Sequence, residues 1–132
     1  MTRRNLRDNI FKILFKLEFN TIDEMEEQIG FSLDEIPDLS DEDKAYITDK
    51  AGKIISLIGD IDNIISEISV GWSIERIGKA ELAILRLAVY EIKYDDDIPV
   101  NVAISEAVQL SKTYCGEDAR SFVNGVLTKL ND

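Results

Sequence analysis

The stretch ELAILRLAVYEIKY, Glu81–Tyr94, is apolar almost all the way round a helical wheel. A surface helix keeps one wet face. A segment with so little polar surface is the central helix of a bundle, covered by neighbours on several sides. Around it, apolar residues recur at helical spacing and strand-like alternation is absent. Pro37 and Pro99 are the only prolines.

N-terminal to this segment, Leu6, Ile10, Ile13, Leu14 and Leu17 share one face, which predicts a first helix over about Arg3 to Phe19. TIDE (Thr21–Glu24) reads as a capping box opening a second helix that stops near Gly30. FSLDEIPDLS is then a connector. Ser40 and the acids behind it open a third helix, with Ile47, Ala51, Ile54, Ile55 and Ile58 on its apolar face. A fourth covers about Asp60 to Val70 and breaks at Gly71–Ser73, where Ser73 caps the next segment. C-terminal to the central segment, Pro99 suits the first turn of a helix carrying Val102, Ala103, Ala107, Val108 and Leu110. Gly116 stops it, and EDARSFVNGVLTKL forms the last. The expectation is one all-α domain over residues 1–132, with about seven helices and short antiparallel connections.

Composition removes several function classes. The 132 residues contain no histidine and one cysteine, Cys115. Ser-His-Asp and Cys-His nucleophile systems therefore lack their base, and zinc sites built on His or several Cys lack their ligands. No GxGxxG or Walker-type loop is present, so neither an enzyme nor a cofactor is expected. No apolar run reaches the roughly 20 residues that cross a bilayer, and a secretory signal is not expected, because the N-terminal cations are followed by no uncharged apolar stretch. A lone cysteine suits the reducing cytoplasm.

Charge is divided along the chain. The net charge is -11, yet residues 1–16 carry Arg3, Arg4, Arg7, Lys12 and Lys16 against Asp8 alone. Residues 17–44 hold eleven acids and only Lys44 in opposition. Such a field repels polyanions from most of the surface and admits them at one end. Arg4, Arg7, Phe11 and Phe15 fall within about 80° of one another on the flank of the core stripe. Arginine beside aromatic rings suits phosphate contact with base stacking. The alternatives are solvated cations on an ordinary helix, and phenylalanines packed under a neighbour. Elsewhere, Arg86 inside the apolar helix reads as a paired structural residue, Cys115 as a small packed side chain, and Gly125 as a close helix approach.

In the C-terminal half stand, in this order, Glu81, Ile84–Ala88, Tyr90–Glu91, Asp97–Pro99, Ala103–Ile104, Glu106–Val108, Leu110, Lys112 and Phe122–Leu127. In these residues the chain resembles the NusB family of transcription antitermination factors. RRNLRDNIFKILF resembles the Arg-rich opening helix of the same family. The resemblance implies seven helices in two packed bundles and a non-catalytic function. It further implies binding to boxA-type RNA of ribosomal RNA leader transcripts together with NusE, a small-subunit ribosomal protein. The pair joins other Nus factors on RNA polymerase. By this similarity the RNA-binding residues are Arg3, Arg4, Arg7, Tyr114, Gly116, Glu117, Asp118, Ser121 and Phe122. The NusE-binding residues are Phe15, Glu75 and Glu81.

Four positions depart from the family pattern. Tyr114 stands where phenylalanine is frequent, and Ser121 where a basic residue is, with Arg120 next door. Phe15 replaces a frequent tyrosine and Asn5 a frequent arginine. Family members occur as monomers or homodimers, and a homodimer of this chain would be able to cover the RNA surface. Two other readings fit the residues: a helical module that binds only protein through its acidic face, and an accessory domain of an RNA-modification system.

Overall fold

The computed structural model describes residues 1–131 and contains seven α-helices and no strand among them. They gather into two compact units, one spanning Met1–Leu57 and the other running from Ile58 through the remaining described residues.

In the first unit, α1 (Arg3–Phe15) is opened by Thr2, whose hydroxyl accepts from the Asn5 N–H at 3.1 Å. Ile10, Ile13 and Leu14 are fully buried, and α1 packs against α2 and α3. The helix ends four residues earlier than expected. Lys16–Glu18 tightens into a 3₁₀ turn, and Asn20 Nδ2 donates to the Lys16 carbonyl at 2.9 Å. That bond satisfies one of the carbonyls a helix end leaves over. The capping box forms as expected, with the Thr21 N–H donating to Glu24 Oε1 at 2.8 Å. Those bonds, the backbone one foremost, hold the Glu24 carboxyl below its ordinary pKa.

Helix α2 (Met25–Asp34) does not stop at Gly30. Met25, Ile29 and Leu33 lie four residues apart and are all buried. This stripe carries the helix through an exposed glycine whose destabilisation is only about 1 kcal/mol. Helix α3 (Asp41–Ser56) begins where expected, with the Ser40 Oγ accepting from the Asp43 N–H at 3.1 Å. Ile58 falls outside α3 and opens the next helix instead.

In the second unit, α5 (Lys79–Tyr94) buries every residue from Leu82 to Glu91. It packs against α4 (Ile58–Ile68), α6 (Val100–Tyr114) and α7 (Glu117–Leu127), as its apolar circumference requires. Arg86, in that run, pairs with Asp62 on α4: Nε and Nη2 each lie 2.9 Å from a carboxylate oxygen. Lys129 Nζ donates to the Ile68 carbonyl at 2.8 Å, so a cation meets the C-terminal end of α4. Pro99 occupies the N-cap of α6, one position before its first turn. Val102 is exposed, outside the α6 core face.

Candidate nucleic-acid interface

The expected RNA residues lie in both units. In the first, Arg3 and Arg4 are exposed on the opening turn of α1, but Arg7 is buried, 7% exposed. Phe11 is buried as well. Periodicity sets both on the flank of the stripe, but the direction of a side chain does not tell how far neighbouring elements cover that flank. Packing therefore accounts for Phe11, and base stacking by it is excluded. Phe15 is half-buried, with its ring 5.3 Å from Phe19 in an edge-to-face contact. Phe19 is itself 61% exposed, so the Phe15–Phe19 pair reaches the surface.

In the second unit the turn from α6 to α7 depends on Gly116, whose φ of 93° is a left-handed value that a side chain would strain. Tyr114 is exposed at the last position of α6. Glu117 and Asp118 occupy the first turn of α7, where the helix dipole favours acids. Arg120 Nη2 lies 3.1 Å from Glu117 Oε2, so its charge is already engaged with an acid one turn back. Ser121 is exposed, and Phe122 is half-buried against Trp72 at 5.9 Å between ring centroids.

A cavity of about 420 Å³ opens beside this pair. Trp72, Arg76, Glu81, Cys115, Asp118 and Phe122 are among the residues that line it. Thus the structure brings together Glu81, Asp118 and Phe122, which the sequence divides between two ligands. Trp72 escapes the sequence pattern, where Gly71–Ser73 reads only as a chain break. An isolated tryptophan between two breakers is nonetheless a signal of a surface site.

Glu75 and Glu81, six residues apart, would diverge by 240° on a continuous helix. They are not on one. Glu75 sits in a 3₁₀ turn (Ile74–Arg76), and Glu81 is the third residue of α5. The Glu81 carboxylate folds back over Gly78, where any Cβ would collide with it. Glu81 is not the partner of Arg86, which is held by Asp62.

Burial, joined by the hydrogen bond and the negative charge of Glu81, pushes the Cys115 thiol up to about 12. The thiol therefore stays protonated until far above neutral pH. Alkylation by iodoacetamide at pH 8 is expected to be at least tenfold slower in the folded protein than in urea, since only the thiolate reacts. Equal rates in both states, followed by mass spectrometry, would remove the Glu81–Cys115 contact.

With these elements in place, comparison with known proteins is decisive. The NusB family model matches residues 4–132. The chain belongs to the NusB family. The transcription antitermination protein NusB of Agathobacter rectalis is 47% identical over 129 residues, covering 98% of each chain. Among solved structures, T. maritima NusB superposes with a TM-score of 0.86 at 33% identity, over 98% of this chain and 90% of that one. A structure of the antitermination factors NusB and NusE in complex with double-stranded RNA is similar at a TM-score of 0.81 and 27% identity. It covers 97% of this chain and 94% of the matched one. Membership in a family of antitermination factors agrees with a non-catalytic role. No helix among the described residues is long and apolar enough to cross a membrane.

Proposed function

We propose that this chain is a cytoplasmic antitermination adaptor that binds boxA-type RNA of ribosomal RNA leader transcripts together with NusE. Through these contacts it joins other Nus factors on RNA polymerase. The observation that carries the reading is the similarity, over nearly the whole chain, to a NusB solved with NusE and RNA. The charge division supports it, because exposed arginines open an otherwise acidic chain.

In this reading Arg3 and Arg4 meet phosphate, while Tyr114 and Phe122 offer rings to bases beside Gly116, Glu117, Asp118 and Ser121. Arg7, though buried, contributes its charge. Phe15, Glu75 and Glu81 contact NusE. A chain with so few exposed cations in this helix makes few phosphate contacts. Its log K should then fall with log salt at a slope on the order of -2 to -3, at about -0.7 per phosphate for single strands.

Charge reversal tests the assignment. Arg3→Glu with Arg4→Glu is expected to weaken binding of labelled boxA-type RNA by tenfold or more. It should also flatten the salt slope by roughly 1 to 1.5, while thermal melting stays near wild type. Arg7 is left out of the pair because a buried carboxylate there would unsettle the fold. Unchanged affinity and slope would sink the assignment. Sedimentation with and without RNA identifies any homodimer, which should dissociate on RNA binding if it covers the same surface.

A further inference from the structure

Trp72 is the sole tryptophan of the chain, and half of its surface is exposed. An exposed indole is unusual for a residue with no binding duty, since leaving so large an apolar ring in water forgoes its burial. Nor does it sit on a slack loop. The Trp72 N–H donates to the Ser69 carbonyl at 2.9 Å. The Ser69 hydroxyl, itself buried, lies 2.7 Å from the Ile65 carbonyl and 3.1 Å from that of Trp72. Gly71, at φ 87°, supplies the left-handed step that turns the chain back. The tryptophan backbone is thereby tied to the end of α4, and its ring is steadied by Phe122 at an interplanar angle of 70°. An edge-to-face pair occupies one ring face and leaves the others open.

We propose that Trp72, with Phe122 and the cavity beside them, forms a pocket for one unstacked nucleobase of the bound RNA. The proposal rests on the RNA reading above and adds to it a residue and a ligand class. Sequence-specific RNA recognition works largely on bases splayed from the strand and stacked on aromatic rings. A volume of about 420 Å³ is within the range of small-ligand sites and ample for a base. Charge sorts what enters. The carboxylates of Glu81 and Asp118 line the wall and repel phosphate, and that of Asp118 accepts a hydrogen bond from a base N–H. Arg76, also on the cavity, is the cation available to the phosphate of the same nucleotide. The base therefore goes in and the backbone stays at the rim.

The single tryptophan makes the test direct. Labelled boxA-type RNA is followed by anisotropy while the emission of Trp72 is recorded on the same samples. RNA should quench that emission in step with the anisotropy. Trp72→Leu should weaken RNA binding roughly tenfold or more with unchanged circular dichroism, and Trp72→Phe should recover most of the loss. In a set of RNAs each lacking one base, a single abasic position should cease to matter in Trp72→Leu, the non-additivity expected of direct contact. Normal RNA binding with unquenched emission, and wild-type affinity in Trp72→Leu, would overturn the pocket while leaving the RNA reading intact. Quenching by NusE alone and not by RNA would assign the pocket to a protein side chain and overturn the proposal. Absence of any anisotropy change would overturn the RNA reading, and the pocket with it.

Discussion

Asp62→Ala is expected to destabilise the protein by about 3 kcal/mol, among the largest effects open to a single polar substitution in this chain. Arg86 stands within the buried run of α5, its side chain 11% exposed, and both of its contacts to Asp62 measure 2.9 Å. Removing the carboxylate leaves a guanidinium largely withdrawn from water and unable to shed its proton. Breaking such a pair destabilises by about 3–5 kcal/mol, and the lower end applies because the Asp62 side chain is 24% exposed. The midpoint of thermal unfolding should fall by roughly 10–15 °C for a chain of this size. Replacing both partners, Arg86→Met with Asp62→Leu, should recover much of the loss, because the buried guanidinium is removed together with its carboxylate. Urea unfolding of the two variants measures this. A loss under about 1 kcal/mol in Asp62→Ala would show that water reaches the guanidinium freely.

Glu81→Lys is expected to weaken NusE binding by about 2–5 kcal/mol, provided the proposed contact is desolvated in the complex. Ribosomal proteins are basic, so the change sets like charge against the partner. Its local effect is smaller. A lysine in the first turn of α5 opposes the helix dipole, which costs about 0.3–1 kcal/mol, and the thiol of Cys115 loses its acceptor. RNA binding by the chain alone should hold steady or rise slightly, since net charge moves toward positive. Arg3→Glu with Arg4→Glu should do the converse, weakening RNA while sparing the partner. Calorimetry with both ligands on both variants decides the matter. Equal losses of RNA and partner in Glu81→Lys, or outright melting of the fold, would make Glu81 a structural residue and end the two-surface account.

Much of the architecture is legible in residue order because it rests on local or one-dimensional rules. The Glu81–Tyr94 run announces a helix with no wet face, and ten consecutive residues of α5 are buried. The side-chain caps at Thr21 and Ser40 form as their short-range chemistry demands, and Gly116 ends α6 with a left-handed φ. The arginine-rich opening against the acidic remainder, and the order of motifs toward FVNGVL, point to the family. The features that residue order hides depend on neighbours distant in sequence. Gly30 looks like a stop until Ile29 and Leu33 are seen to be buried together. Arg7 and Phe11 look like surface flank until packing covers them. A helical wheel gives the direction of a side chain but not the width of the neighbour it meets. Trp72 and Phe122, fifty residues apart, become a site only because the turn after α4 returns to α7, and Glu81 joins them because α5 begins beside the same cavity. Periodicity and capping chose the helices of this chain; burial, which sums over contacts no local pattern contains, decided which of their residues stay at the surface.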